Sequence, residues 1–324
     1  LPGSSATRSA PDVAGLVRGV VGGDARALGR ALSLVEDGGA GAEELLAALY
    51  ARGGGALVVG VTGPPGAGKS TLVDKLTGRL RKSGKTVGVV AVDPTSPFTG
   101  GAILGDRIRM QSHAADPGVF IRSMATRGHL GGLAAATGHV LSVLAAAGKD
   151  VLLVETVGVG QDEVEIVGAA DVCAVVLVPG LGDEIQTLKA GLMEIADVFV
   201  VNKADRDGAD RVVAQIEAML SLGTDARRAP EIVRTVATEE QGIDELLAAI
   251  FGFAKRAADE GLAARRRRQQ ARQLFEETLR ERLMQSARAR VLTPDEAERT
   301  LDRLAGREQD PFSAAAEVLR RLGL

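Results

Sequence analysis

The chain has 324 residues, with 39 Lys+Arg against 42 Asp+Glu and a formal net charge of −3. That length fits about two domains of ordinary size, and the near-neutral balance gives no electrostatic ground for a nucleic-acid partner. No apolar run approaches the ~18 residues that span a bilayer. The single cysteine, Cys173, excludes an intramolecular disulfide or a thiolate metal cluster, and His113, His129 and His139 form no pair at metal-ligand spacing. The expected setting is the cytoplasm, with no membrane partner.

Residues 1–10 read as disordered or as a tag remnant. Residues 11–54 read as an N-terminal helical extension. Leu28, Ala31, Leu32 and Val35 recur at helical spacing behind Asp24, a capping residue, and Leu45, Leu46 and Leu49 form a second stripe. The Gly53–Gly55 run breaks the pattern.

From residue 55 to 254 short β-branched runs alternate with helical stretches. The runs are Leu57–Val61, Val87–Val92, Val119–Arg122, Val151–Val154, Val172–Val178, Val198–Val201 and Ile232–Val236. The helical stretches are Ser70–Arg81, Gly132–Ala147, Gly208–Leu220 and Ile243–Ala254. Continuous apolar strands separated by helices predict an α/β fold, a mostly parallel sheet with helices on both faces.

Residues 255–324 turn helical and highly charged. Phe275, Leu279 and Leu283 make an apolar stripe, Thr293-Pro294-Asp295-Glu296 has the form of a capping box, and Asp310-Pro311 predicts the start of a last helix. A sheet domain does not need this tail for its own core, so it is expected to pack on the domain or on a second subunit. Within it Arg265–Arg268 is a run of four arginines without an aromatic platform, which reads as a solvated helix face or a subunit contact.

The strongest chemical signal is Gly63-Pro64-Pro65-Gly66-Ala67-Gly68-Lys69-Ser70-Thr71, which matches G-x-x-x-x-G-K-[ST] between a predicted strand and a predicted helix. Glycines let backbone N–H groups turn inward around phosphates, and the helix N-terminus adds partial positive charge. Lys69 would neutralise the β- and γ-phosphates, and the Ser70 hydroxyl would ligate Mg²⁺. The fold is therefore expected to be a P-loop NTPase with helical extensions at both ends.

Asn202-Lys203-Ala204-Asp205 follows the strand Val198–Val201. Asp205 can accept hydrogen bonds from guanine N1–H and the 2-amino group. Adenine offers neither, and leaves the carboxylate unpaired, so GTP is expected over ATP. Ala237-Thr238-Glu239 follow the last strand, where a loop can close over the base. Glu155-Thr156-Val157-Gly158 follow Val151–Val154. There a carboxylate can hold Mg²⁺ and Gly158 can offer its N–H to the γ-phosphate. Asp93 ends Val87–Val92, a strand end expected beside the P-loop, and is a second carboxylate candidate for Mg²⁺. Two glycine-rich stretches carry further charges: Gly100–Met110, with Asp106 and Arg109, and Gly180–Lys189. A phosphate-facing switch and a solvated loop with a surface ion pair both fit them. Cys173 reads as a buried core residue.

Together the segments GPPGAGKST, VDPTSPFTGGAILGDRIRM, ETVGVGQDE, VPGLGDEIQTLKAG and NKAD resemble the MeaB/ArgK family of P-loop GTPases, to which the methylmalonic aciduria type A protein belongs. The resemblance runs from about residue 12 into the C-terminal helices. It implies a GTPase domain with an N-terminal helical extension and a C-terminal helical arm that makes a homodimer. It also implies a partner, an adenosylcobalamin-dependent acyl-CoA mutase of the methylmalonyl-CoA type, whose cofactor loading and protection are gated by GTP binding and hydrolysis. By position, the resemblance assigns Lys69, Ser70, Asp93, Asp106 and Glu155 to phosphate and Mg²⁺. Asn202, Lys203 and Asp205 go to guanine, and Arg109 and Lys189 to the phosphate-facing switches. With neither a His-rich tract nor a Cys motif, the chain is expected to hold no metal cargo or cobalamin of its own. Ras-like GTPases place a water-orienting Gln directly after D-x-x-G. Here Val159 and Gly160 come before Gln161, so slow intrinsic hydrolysis is expected. Two other readings compete: a kinase of a lysine/arginine/ornithine transport system, and a nucleotide-gated scaffold without a catalytic task.

Overall fold

The computed structural model describes residues 12–93, 111–113, 115–125, 132–156, 170–180, 195–223 and 229–324. Seven strands form one sheet: β1 Leu57–Thr62, β2 Val87–Asp93, β3 Val119–Ala125, β4 Val151–Thr156, β5 Val172–Leu177, β6 Val198–Asn202 and β7 Glu231–Thr235. All pair in parallel, in the spatial order β3-β2-β4-β1-β5-β6-β7. Each of the seven predicted runs forms a strand.

Every residue of β4, β5 and β6 is buried, because helices cover both faces. Alternation sorts the side chains. Val172, Ala174 and Val176 join Val59, Val61 and Leu153 under α4 (Lys69–Lys82) and α7 (Ile243–Asp259), where Leu72, Leu76, Leu246 and Ile250 complete the core. Cys173, Val175 and Leu177 face the other way and pack with Phe199, Val212 and Ile216 under α6 (Ala209–Gly223). Burial pushes the Cys173 thiol well above its ordinary pKa, so it is a core group and not a nucleophile.

On that second face the N-terminal residues fold as α1 (Val13–Val21), α2 (Ala25–Glu36) and α3 (Ala42–Tyr50). Asp24 caps α2, its Oδ1 accepting from Arg26 N at 2.7 Å and Ala27 N at 3.0 Å. Leu16, Val20, Leu28, Leu32, Leu45 and Leu49 pack with Val140 and Leu144 of α5 (Gly132–Ala146) and with Leu152 and Val154 of β4. These helices thus share one core with the sheet. Glu36 of α2 adds an ion pair to Arg122 on the edge strand β3.

The described residues form two compact units, one ending at Arg268 and one beginning at Gln269. The change of composition after residue 254 placed this boundary earlier. The first unit runs further because Arg266, near the start of the 29-residue helix α8 (Leu262–Arg290), is tied into it. Its guanidinium donates to Asp197 Oδ1 and Oδ2, both at 2.7 Å, and to the Asp171 carbonyl at 2.8 Å, and stacks 5.3 Å from the Phe253 ring centre. Arg266 therefore leaves the solvated arginine face that the run predicted, while Arg265, Arg267 and Arg268 remain exposed.

The second unit holds the rest of α8 with α9 (Pro294–Ala305) and α10 (Pro311–Leu322). Asp310 caps α10 through Phe312 N and Ser313 N, both 2.9 Å from Oδ1. The capping box expected at Thr293 does not form. The Thr293 side chain makes no cap bond, and Glu296, its reciprocal partner, instead accepts from Arg321 Nη1 at 2.6 Å. Ala287, Val291 and Ala314 are buried here, whereas Phe275, Leu279, Leu283, Leu301, Phe312 and Leu319 are exposed.

Candidate functional site

Strand β1 sits at the centre of the sheet, between β4 and β5, where connections leave in opposite directions. A crevice at the C-terminal ends of the strands is the ordinary ligand position at such a switch point. The loop after β1 carries the P-loop sequence. Gly63 has φ 149°, and a Cβ there would lie 2.1 Å from the Val176 carbonyl oxygen, so only glycine lets the loop pass β5 this closely. Gly68 has φ 87°, and its missing Cβ leaves room for the Asn202 amide, 2.5 Å from that point.

Helix α4 starts at Lys69. The buried Lys69 ammonium reaches back across the loop to the carbonyls of Gly63 at 2.7 Å and Pro64 at 3.0 Å. The positive charge is thereby held inside the loop, where phosphate oxygens would replace carbonyls as its partners. Ser70 follows on the first turn, and its Oγ donates to Glu155 Oε1 at 2.5 Å. The pairing of Val61 with Glu155 across β1 and β4 brings that carboxylate alongside the loop.

At the end of β6, Asn202 joins three segments. Its Nδ2 donates to the Ala67 carbonyl at 2.8 Å. Its Oδ1 accepts from Thr235 Oγ1 at 3.0 Å and from Ala237 N at 3.2 Å. P-loop, β6 end and the turn Ala237–Glu239 are thus fixed together by one buried amide. Lys203, in a left-handed conformation with φ 55°, extends over the loop to the Gly66 carbonyl at 2.8 Å. Asp205 is exposed two residues on.

A cleft of about 630 Å³ runs from Gly66 and Lys69 past Glu155 to Thr238, within the range of small-molecule sites. Lys69, Ser70, Glu155 and Thr238 therefore share one cavity, and Asn202 and Lys203 brace its loop. Asp74 and Lys75 also line it and were not singled out from sequence. They lie four residues after Ser70 and Thr71, one turn further along α4, and that helical offset was the available signal.

Asp93 was expected at a strand end beside the P-loop. Its strand β2 pairs with β3 and β4, and β4 stands between β2 and β1. Ala91 and Val92 still line the cleft. The Asp93 side chain lies outside the described residues, as do Asp106, Arg109, Gly158, Gln161 and Lys189.

Among the described residues no group of three or more His, Cys, Asp and Glu side chains could cage a metal ion. Mg²⁺ in a nucleotide site needs no such cage, since it keeps waters and takes phosphate oxygens beside one or two protein ligands. The Ser70 hydroxyl and the Glu155 carboxylate are hard oxygen donors within one hydrogen bond of each other, and they fit that demand. No helix among the described residues is long and apolar enough to cross a membrane.

Comparison with known proteins agrees with this geometry. The family described as methylmalonyl Co-A mutase-associated GTPase MeaB matches residues 28–291. A Pyrococcus abyssi relative, named as a GTPase, is 49% identical over 304 residues, covering 93% of this chain and 94% of that one. GTPase ArgK of Escherichia coli is 39% identical over 258 residues, covering 77% and 78%. A crystal structure described as LAO/AO transport system kinase superposes with a TM-score of 0.67 at 27% identity, covering 96% of this chain and 98% of that one. The chain is a P-loop GTPase and belongs to the MeaB family.

Proposed function

We propose that this GTPase binds GTP in the cleft with Mg²⁺, hydrolyses it, and uses the cycle to gate cofactor loading and protection of an adenosylcobalamin-dependent acyl-CoA mutase in the cytoplasm. The observation that carries the site is the convergence of Lys69, Ser70 and Glu155 in one cleft whose loop is braced by Asn202. The mutase reading rests on the family's description and on a Caenorhabditis elegans relative, named methylmalonic aciduria type A homolog, that is 34% identical over 232 residues.

Hydrolysis is direct attack of water on the γ-phosphorus of GTP. The bond to the β–γ bridging oxygen breaks, GDP leaves with that electron pair, and the water proton passes to the released phosphate. The chain's contribution is positioning and charge. Loop amides between Gly63 and Ser70 and the start of α4 hold the phosphates. Lys69 leaves its carbonyls for β- and γ-oxygens and stabilises charge that grows as the bond breaks. Ser70 and Glu155 would hold Mg²⁺, which supplies further neutralisation of the same oxygens when bound. Asp205 accepts from guanine N1–H and the 2-amino group, Lys203 lies along the base, and Ala237, Thr238 and Glu239 close beside it. Asp93, Asp106, Arg109, Gly158 and Lys189 complete the phosphate and switch set on the family's pattern.

The exposed Phe275, Leu279, Leu283 and Phe312 support a homodimer through the C-terminal helices. A kinase reading has the description of the solved relative in its favour. The Asn202–Asp205 motif favours GTP, and equal affinity for ATP and GTP would reverse that preference. The decisive experiment measures phosphate release from GTP with and without purified methylmalonyl-CoA mutase. Stimulated turnover and nucleotide-dependent retention of the mutase are expected. Turnover indifferent to the mutase, with no complex in any nucleotide state, would remove the chaperone reading and leave the GTPase.

A further inference from the structure

Lys69, Lys203 and Lys75 are held in different ways. Lys69 hydrogen-bonds to loop carbonyls at 2.7 and 3.0 Å, and Lys203 to another at 2.8 Å. Lys75 lines the cleft with its ammonium between two carboxylates, 3.6 Å from Asp74 Oδ2 and 3.7 Å from Glu240 Oε1. Those are charge contacts, longer than hydrogen bonds. Such pairs hold a partly exposed side chain weakly, and an ammonium has three donors to give.

The fold places Lys75 between the two halves of the site. It follows Thr71 by four residues, one turn further on the same face of α4, and helical side chains lean toward the N-terminus, here toward the loop. Its neighbour Asp74 is engaged elsewhere: Ser112 Oγ and His113 Nε2 lie 3.1 and 3.2 Å from its Oδ1. Lys75 reaches to the base-side turn Ala237–Glu239, since Glu240 is the residue that ends that turn. Lys69 and Ser70 serve the β- and γ-phosphates, and Asn202–Asp205 the base. Between those parts of a guanine nucleotide lie the ribose and the charged α-phosphate. The described lining holds two ammonium groups, Lys69 and Lys75, against two carboxylates, Asp74 and Glu155. A polyphosphate adds several negative charges to that balance, and a loosely paired ammonium is drawn to them.

We propose that Lys75 is a further nucleotide-binding residue, which leaves its two carboxylates and donates to the α-phosphate. This rests on the reading that the cleft takes the guanine nucleotide. The competing role for Lys75 is a bridge that ties α4 to the base-side turn through Glu240. The two roles differ in what Glu240 does. In a bridge, Glu240 is needed as much as Lys75. In a contact, Glu240 competes with the nucleotide for the ammonium. Arg79, four residues further along α4, lies 4.0 Å from Glu240 Oε2 and 3.2 Å from Asp244 Oδ1, so α4 stays tied to this region without Lys75.

The test measures the affinity of the full chain for GDP and for GMP, by displacement of a fluorescent GDP analogue. Lys75→Met keeps an unbranched apolar stem and removes the charge. It is expected to weaken GDP binding about three- to tenfold, between an exposed ion pair and a hydrogen bond to a charged group. GMP should weaken by the same factor, since it keeps the α-phosphate. Glu240→Gln is expected to bind GDP as tightly as wild type or more tightly. Wild-type GDP affinity in Lys75→Met, an equal loss in Glu240→Gln, or a loss seen with GDP and not with GMP overturns the contact. Lys69→Ala and Asp205→Ala are measured beside them and should both weaken GDP binding. If both bind GDP as wild type does, the nucleotide lies elsewhere and the reading of the cleft falls. Losses in those two with none in Lys75→Met strike the Lys75 contact alone.

Discussion

The two ends of the sheet use the same residue types for opposite purposes. At the N-terminal end, aspartates stand one residue before β4, β5 and β6, each in an Asp-Val pair, and each reaches sideways to the start of a neighbouring strand. Asp150 Oδ2 accepts from Thr86 N at 2.7 Å, Asp171 Oδ2 from Val58 N at 3.0 Å and Asp197 Oδ2 from Cys173 N at 2.9 Å. Backbone N–H groups that the ladder leaves over are satisfied inside the fold. At the C-terminal end, Lys69 borrows loop carbonyls, Ser70 and Glu155 hold each other, and Asp205 stands open. Groups at the first end are paired within the fold and contribute stability. Groups at the second end are paired in ways a nucleotide can exchange. Substitutions at the two ends should therefore separate stability from activity.

Lys69→Ala should give the largest effect, a fall of about a thousandfold in GTP turnover, the scale of losing one main charge-stabilising group. Folding stability should move by about 1 kcal/mol or less, since loss of two carbonyl bonds is offset by no longer burying an ammonium. Phosphate release and urea melts on one preparation check both. Unchanged turnover would place the reaction elsewhere, and a large loss of stability would break the contrast between the ends.

Asp197→Ala should do the converse. It strips Arg266 of two bonds and Cys173 of one. A stability loss of about 3 kcal/mol is expected, at the low end for a broken buried pair because Arg266 keeps a solvent-facing side. GDP affinity of the folded protein should stay within about twofold, as for sites that share no partner. Calorimetric GDP titration on the variant would decide this.

Asp205→Ala should weaken GTP binding about 10- to 100-fold, the range for hydrogen bonds to a charged acceptor, with ATP affinity unchanged. If GTP and ATP affinities fell together, Asp205 would be acting on the loop and not on the base.

The fold was legible where chemistry and period coincide. The run Val198–Val201 could only be a doubly covered strand, and Gly63–Thr71 could only be a phosphate loop once a strand preceded it. Lys69, Ser70 and Asn202 were read from those two facts, and Glu155 from its place after Val151–Val154. Strand order was not legible, because pairing joins strands remote in sequence. Arg266 was hidden among its neighbours, since nothing in four consecutive arginines says which one finds the Asp197 carboxylate. The Asp-Val pairs were visible in the letters, but their meaning depends on which strand lies beside each. Thr293 failed as a capping box for a similar reason: Arg321, distant in sequence, competes for Glu296.

The smallest expected effect tests the N-terminal end by pH. The Thr86 N–H, and after it the Thr86 hydroxyl, hold the Asp150 carboxyl below the usual carboxylate range. A pKa depressed in the folded state means that the carboxylate contributes stability in full above its unfolded pKa of about 3.9 and loses it as pH falls through the folded value. Asp116 is depressed in the same way, first by Arg81 and then by the Gly118 N–H, and remains in any Asp150 variant. The informative quantity is therefore the difference between wild type and Asp150→Asn in urea midpoint at pH 7, 5, 4 and 3. That difference should be constant from pH 7 to 5 and shrink below about pH 4, as protonation removes from the wild type what the substitution removed already. A difference that persists undiminished at pH 3 would mean that Asp150 acts there through its shape and not its charge. The carboxylates at this end would then be hydrogen-bonding brackets, and only the ligand end of the sheet would be electrostatic in design.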